Sequence, residues 1–251
     1  MFTRAPVFIG YHRPMTPTDA QQALKDATRI AVLTGAGISA ASGVPTFRGD
    51  GGLWRNYRAQ DLATPEAYER NPQLVWEWYQ MRFDAVMAVQ PNPAHAALVT
   101  LEKRTDDFKL ITQNVDGLHQ RAGSKNVFEL HGNLTQGRCE GCGEVAELWP
   151  DFPIPPACPA CGARLRPNVV WFGEMLPEAA FTASIDAFNR AEVALIIGTS
   201  AVVEPAASLG RMAAEAGAFV IEINPDKTPL TMFANVTLHM DAVAGMAQLL
   251  G

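Results

Sequence analysis

The sequence predicts an α/β fold: a Rossmann-like doubly wound parallel sheet with a smaller helical and zinc-ribbon domain. Three observations carry this expectation. Short apolar runs with β-branched residues alternate with helical patterns, as strands covered by helices on both faces require. The first run, Arg29 to Thr34, stops at the glycine turn Gly35-Ala36-Gly37-Ile38-Ser39-Ala40. All four cysteines fall between positions 139 and 161 as two Cys-x-x-Cys pairs.

A chain of 251 residues, 48% hydrophobic and 18% charged, is large enough to bury a core and far from the composition of disordered segments. A net charge of −6 excludes a dedicated nucleic-acid binder, which needs a basic face. No apolar stretch is long enough to span a bilayer, and the N-terminus has no signal-like core, so a cytoplasmic protein is expected.

Along the chain, Thr18 is expected to cap a helix reaching about Arg29, followed by the Arg29 to Thr34 strand. Further parallel strands are expected at 108–112, 127–130, 193–197, 218–223 and 236–240. Asn92 with Pro93 starts one intervening helix, Pro177 another, and Pro205 a third that ends at Gly217. Asn71 with Pro72 starts an aromatic-rich helix. Residues 54–91 and 137–167 interrupt the strand and helix rhythm and form the expected small helical and zinc-binding domain. Residues 18–53, 92–136 and 168–251 form the large one.

The turn Gly35 to Ala40 fits G-x-G-x-x-A after a strand, where glycines let the backbone approach a pyrophosphate. A hydride-transferring enzyme continues with a helix, a second strand and an acidic residue for the ribose. Here Gly43 to Trp54 holds four glycines and a proline, which reads as a long loop closing over a dinucleotide.

The blocks Gly35-Ala36-Gly37-Ile38-Ser39, Gly43-Val44-Pro45-Thr46-Phe47-Arg48, Gln113-Asn114-Val115-Asp116-Gly117-Leu118-His119 and His131-Gly132 resemble the sirtuin family. Arg166 to Glu174, Gly198-Thr199-Ser200 and Ile223-Asn224-Pro225 continue the likeness in the family's order to the C-terminus. The resemblance implies an NAD-consuming protein-lysine deacylase whose partners are acylated lysines of other proteins. In that reaction the acyl-lysine oxygen attacks C1′ of the nicotinamide ribose, nicotinamide leaves, and His131 as base helps activate the ribose 2′-hydroxyl. Free lysine and an acylated ADP-ribose result.

The resemblance also implies residue roles. Gly35, Ala36, Gly37 and Ser39 would hold the NAD pyrophosphate, with Thr46, Phe47, Arg48 and Trp54 on the mobile loop. Gln113, Asn114, Val115 and Asp116 would bind the ribose and nicotinamide. By residue chemistry alone, Asn-Val-Asp-Gly is turn or cap chemistry, Phe47 a core aromatic and Arg48 a solvated cation. Gly198, Thr199, Ser200, Asn224, Pro225, Asp226 and, in the loop before the last helix, Ala244 would meet the adenosine half. Val169, Val170 and Trp171 would form the edge on which a substrate peptide pairs through main-chain hydrogen bonds. His12, His95 and His239 read as structural, and His119 as supporting its helix.

Cys139-x-x-Cys142, fifteen residues (143–157) and Cys158-x-x-Cys161 match a zinc-ribbon spacing. Four thiolates leave no open coordination position, so the metal is expected to be structural. A redox pair is the alternative.

Tyr79 and Arg82, spaced i, i+3, share one helix face. They are either core packing with a solvated cation or a pair converging on an anion. The Tyr-x-x-Arg pair resembles the sirtuin subgroup that accepts succinyl and malonyl as well as acetyl lysine, and Ala63 would leave room for the longer chain. A zinc-ribbon binding module and an NAD-dependent protein ADP-ribosyltransferase are the rival readings.

Overall fold

The computed structural model describes residues 15–45 and 58–251. Thr46, Phe47, Arg48 and Trp54 lie outside the described residues, as does His12.

The first helix, α1 (Pro17–Asp26), is capped by Thr16 and not by Thr18. Thr16 Oγ1 accepts from the Asp19 N–H, and the Asp19 carboxylate accepts from the Thr16 N–H at 2.7 Å. This capping box, with Pro17 in the first helical position, fixes the start two residues earlier than expected. The helix stops at Asp26 because Arg29 already opens β1 (Arg29–Thr34).

Two 3-10 turns follow, Ala36–Ile38 and Ala40–Ser42. Three helices, α2 (Ala59–Leu62), α3 (Pro65–Arg70) and α4 (Pro72–Met87), make the aromatic-rich segment. Thr64 and Asn71 cap the latter two, each accepting an N–H three residues on at 3.1 Å. Then come α5 (Pro93–Arg104), capped by Asn92, β2 (Asp107–Thr112), α6 (Leu118–Ala122) and β3 (Val127–Glu129).

Residues 132–169 contain β4 (Gly132–Cys139), β5 (Val145–Glu147) and β6 (Leu165–Val169), which form an antiparallel sheet in the order β5-β4-β6. Sequence patterning shows none of this sheet, because β4 is polar and a bulge between Gly132 and Gly137 breaks its alternation.

The chain closes with α7 (Glu178–Arg190), β7 (Val193–Ile197), α8 (Ser208–Glu215), β8 (Phe219–Ile223), β9 (Val236–Leu238) and α9 (Ala242–Leu250). Pro177 is the N-cap of α7. The segment from Pro205 is a turn, and α8 begins only at Ser208, because Ser208 and Leu209 donate to the carbonyls three residues back and not four.

All pairings in the large sheet are parallel, in the order β3-β2-β1-β7-β8-β9. Counting its strands along the chain, this is 3-2-1-4-5-6, the Rossmann order. One face packs Leu24, Leu98, Leu101 and Met246 against the strands, and the other packs Phe188, Leu209 and Leu230. A separate cluster, centred on Trp76, Phe83, Phe152 and Leu165, joins α4 to the antiparallel sheet. Trp76 Nε1 and the Tyr68 hydroxyl both donate to the Leu165 carbonyl at 2.9 Å, so that carbonyl anchors the helices to β6.

Candidate active site and metal centre

The direction of chain winding reverses between β1 and β7, and ligands of open α/β sheets bind beyond the carboxyl ends of the strands at such a point. Here the turn after β1 meets the turn after β7. Gly35 N–H donates to the Ile197 carbonyl at 3.0 Å and Gly37 N–H to the Gly198 carbonyl at 2.8 Å. A Cβ on Gly37 would stand 2.6 Å from Gly198 Cα, so the approach requires glycine. Gly198 itself has φ +60°, in the left-handed region.

The segment after β2 locks onto this turn. Asn114 Nδ2 donates to the Gly35 carbonyl at 3.1 Å and to Ser39 Oγ at 3.2 Å, while the Ser39 hydroxyl donates to Asp116 Oδ2 at 2.7 Å. Gln113 Nε2 donates to Thr199 Oγ1 at 2.8 Å. Ser39, Asn114, Asp116 and Thr199 are all buried. Asn224, after β8, donates from Nδ2 to the Thr199 carbonyl at 2.7 Å, and its Oδ1 accepts the Asp226 N–H. Four adjacent strands thus deliver short polar side chains to one edge, a donor and acceptor set that fits a dinucleotide.

His131 follows β3, and its Nδ1 lies 2.9 Å from the Gln113 carbonyl. A carbonyl only accepts, so Nδ1 carries the proton and Nε2 keeps its lone pair. Burial lowers the imidazole pKa below the ordinary 6.5, and the hydrogen bond to Gln113 offsets part of that. The ring is a neutral base at neutral pH.

Other expected positions differ in detail. Ala244 lies in the first turn of α9 and not in the loop before it, and its N–H donates to Asp241 Oδ1 as part of the helix cap. The Val115 carbonyl accepts from Leu134 N–H at 2.8 Å, and its side chain packs with the small cluster. Val170 N–H donates to the His131 carbonyl at 2.9 Å and Trp171 N–H to Glu174 Oε2 at 2.8 Å, so both donors are engaged within the chain.

The turn 171–174 is held firmly. Arg166 makes a two-pronged pair with Glu174, at 2.6 and 2.9 Å, and its guanidinium stacks 3.6 Å from the Trp171 ring centroid. Burial raises the Glu174 carboxyl, but the hydrogen bonds from Arg166 and Trp171 more than offset it, and its pKa falls. A cleft of ≈ 630 Å³ opens beside this turn, bordered by Glu129, Arg138, Asn168, Val170 and Met175.

Tyr79 is buried and its phenol oxygen accepts from Trp171 Nε1 at 2.9 Å. Burial pushes its pKa up to about 12, so it stays a hydroxyl that retains a proton to donate. The Arg82 guanidinium lies 4.8 Å from the Trp78 ring centroid and 5.8 Å from that of Tyr79. Burial lowers the Arg82 pKa, against the pull of Tyr79. Arginine stays charged under such pressure, and the two residues share one helix face in the structure. Ala63 accepts the Phe172 N–H through its carbonyl at 3.0 Å and packs against the same cluster.

The sulfurs of Cys139, Cys142, Cys158 and Cys161 all lie within 4.8 Å of one another. Cys139 and Cys161 are 3.4 Å apart and Cys142 and Cys158 3.8 Å. Tetrahedral zinc at about 2.3 Å from each sulfur sets its ligands about 3.8 Å apart, so the cluster fits that ion. The Cys142 and Gly141 N–H groups point at Cys139 Sγ, at 3.4 and 3.3 Å, and lower that thiol's pKa.

The Sir2 family model matches residues 35–205, which contain the glycine turn, the Gln113 to Asp116 segment, His131 and the cysteines. The chain belongs to the Sir2 family. Among its relatives, a protein named NAD-dependent protein deacylase from Thermus thermophilus is 57% identical over 236 residues, covering 92% of this chain and 93% of the relative. One of the same name from Deinococcus radiodurans is 53% identical over 244 residues, covering 94% and 99%. A solved Sir2 homologue in complex with NAD superposes with TM-score 0.88 at 46% identity, covering 95% of this chain and 94% of that one. A Sir2 complex with a p53 peptide and NAD+ gives TM-score 0.83 at 33% identity, covering 94% and 97%.

As a Sir2 family member, the chain carries polar residues beneath its site that sequence reasoning passed over. Thr34 and Thr112 end neighbouring strands in register, and their hydroxyls are 2.8 Å apart. A threonine at the same terminal position of two apolar runs was the available signal. The Arg166 and Glu174 clamp lies within the quoted motif, yet eight residues of separation hide the pairing.

Purified protein is expected to contain one zinc per chain, and Cys142→Ala to lose it together with thermal stability of the antiparallel sheet. Metal analysis that finds active protein without zinc contradicts the assignment.

Proposed function

We propose that this Sir2 protein is an NAD-dependent protein-lysine deacylase that removes succinyl, malonyl and acetyl groups and releases nicotinamide and O-acyl-ADP-ribose. The observation that carries the reading is the fixed tautomer of His131, a neutral base whose Nε2 keeps its lone pair, near the polar edge at the ends of β1 and β7. NAD, as cosubstrate, would supply the ribose carbon that accepts the acyl oxygen. Relatives named NAD-dependent protein deacylase support the assignment.

Within this reading, residues 18–53, 92–136 and 168–251 form the NAD-binding unit, and 54–91 with 137–167 the helical and zinc-holding one. The Gly35 to Ser39 turn takes the pyrophosphate, Gln113 lies near the ribose, and Gly198, Thr199 and Ser200 meet the adenosine half. Asn114 and Asp116 take the carboxamide, since a carboxylate and an amide pair with it through complementary hydrogen bonds. Asn224, Pro225 and Asp226 take the adenosine, with Ala244 nearby. Val169, Val170 and Trp171 border the acyl-lysine. With the N–H groups of Val170 and Trp171 already engaged, they contribute side-chain contact more than main-chain donors.

His131 Nε2 accepts a proton from a ribose hydroxyl, and the Gln113 carbonyl keeps the ring in the tautomer that permits it. Arg82 pairs with the carboxylate of a succinyl or malonyl chain, and the Tyr79 hydroxyl, oriented by Trp171 Nε1–H, donates a second hydrogen bond. A cytoplasmic location agrees with this substrate class, and no helix among the described residues is long and apolar enough to cross a membrane.

His131→Ala is expected to fold and to lose on the order of 10² to 10⁴ in turnover. In the parent, the acid limb of the rate profile is expected below pH 6.5, because the depressed pKa keeps the base neutral until the pH falls beneath that ordinary value. Near-normal turnover by folded His131→Ala excludes the role. For acyl choice, Arg82→Met is expected to depress desuccinylation far more than deacetylation, by about 1.5 to 3 kcal/mol for each charged hydrogen bond removed. Equal losses on both peptides show that Arg82 supports the fold alone.

A further inference from the structure

His95 and His119 are 0% and 1% exposed, and their ring centroids are 4.9 Å apart. Three buried polar atoms have no hydrogen-bond partner among the described residues: His95 Nε2, His119 Nδ1 and Ser124 Oγ. Two belong to this pair of rings, and their surroundings decide which nitrogen of each ring holds the proton.

Asn92 N–H donates to His95 Nδ1 at 3.3 Å, so that nitrogen is bare and neutral His95 is the Nε2–H tautomer. His119 Nε2 lies 2.9 Å from Thr34 Oγ1, which lies 2.8 Å from Thr112 Oγ1, which in turn accepts the Asn114 N–H at 3.0 Å. Such a line of hydroxyls has two directions. If Thr112 donates to Thr34 and Thr34 to His119 Nε2, then His119 is protonated on Nδ1, and two touching rings each present a buried donor without an acceptor. In the opposite direction, His119 Nε2–H donates to Thr34 and Thr34 to Thr112, which leaves His119 Nδ1 as a lone-pair acceptor beside the His95 Nε2–H donor. An unmet buried donor costs about 1 to 3 kcal/mol; the first direction sets two of them against each other on the rings, whereas the second moves one to the Thr112 hydroxyl and gives the rings complementary atoms.

We propose that His95, His119, Thr34 and Thr112 form a one-directional polar relay, hydrogen-bonded from His119 to Thr112 and joined to His95 by the contact of the two rings, with both imidazoles neutral Nε2–H tautomers, that positions the Gln113 to Asp116 segment for catalysis. The relay ends at Thr112 Oγ1, which also accepts the Asn114 N–H, next to the Gln113 carbonyl that orients His131 Nδ1 at 2.9 Å. It begins at Asn92, whose Nδ2 donates to the Ile38 carbonyl at 2.7 Å and to Ser42 Oγ at 3.0 Å. One buried line therefore ties the start of α5 and the glycine turn to the catalytic base. Burial, reinforced by repulsion from His95, pushes the His119 pKa down to about 3, and burial also lowers that of His95, so neither ring charges near neutral pH. All four are buried and act as positioning residues.

The functional half rests on the deacylase reading, whereas the tautomers do not, so the test has two arms. Long-range proton to ¹⁵N correlation spectra of the whole protein read ring protonation directly. Both His95 and His119 are expected as Nε2–H near neutral pH, and a His119 protonated on Nδ1, or a cationic ring in either residue, overturns the relay whatever the activity. In the kinetic arm, Thr34→Val removes the central hydroxyl at nearly constant shape and is expected to lower kcat on the order of 10-fold to 10²-fold, with the peptide KM unchanged. Thr34→Ser, which restores the hydroxyl, is expected to recover the parent rate. Parent-like turnover by Thr34→Val overturns the proposal, as does a Thr34→Ser as impaired as Thr34→Val, since packing alone would then explain the loss.

Discussion

The approach of two backbones at the ends of β1 and β7 governs the rest of this molecule. Gly37 and Gly198 come so close that a methyl group on either would meet the other's main chain at 2.6 to 2.7 Å. Because the turns touch, Asn114 reaches Gly35 and Ser39, Gln113 reaches Thr199, and Asn224 reaches the Thr199 carbonyl. Each of these bonds satisfies a polar group that burial would otherwise make costly. The described part of the site is therefore braced by its own hydrogen bonds, and such preorganisation favours electrostatic and positional catalysis.

The small unit solves a different problem. Its sheet has only three strands, few for independent stability. Two devices compensate: the aromatic cluster of Trp76, Phe83 and Phe152, whose rings meet edge to face at 5.4 and 5.6 Å, and the four clustered thiols. Trp171 ties the 171–174 turn to this unit, since its indole donates to Tyr79, its ring accepts the Arg166 guanidinium, and its N–H ends on Glu174. Under the proposed function these packing contacts would also border the substrate, so a change at Trp171 would disturb both.

Much of the fold was legible because its signals are local. Asn71 with Pro72 and Asn92 with Pro93 mark helix starts through chemistry confined to four residues. Buried parallel strands such as Val193–Ile197 declare themselves as unbroken apolar runs. The first helix is capped by Thr16 and not by the expected Thr18, because the Asp19 carboxylate, three residues after Thr16, closes a capping box with it. The antiparallel sheet was illegible because β4 buries no regular alternate face. Within the site, the motifs marked His131, but the Gln113 carbonyl that fixes its tautomer is main chain and leaves no residue signature. His119 read as support for a helix, since nothing in one sequence brings it to Thr34, 85 positions away.

Incubation of the protein with an acyl-lysine peptide and NAD labelled in its ADP-ribose half tests the central claim most directly. The account predicts that the label leaves as a small acylated ADP-ribose, in equal amount to the nicotinamide released and the lysine freed. Label retained covalently on protein, with the acyl group still on the peptide, would contradict it and make the chain an ADP-ribosyltransferase.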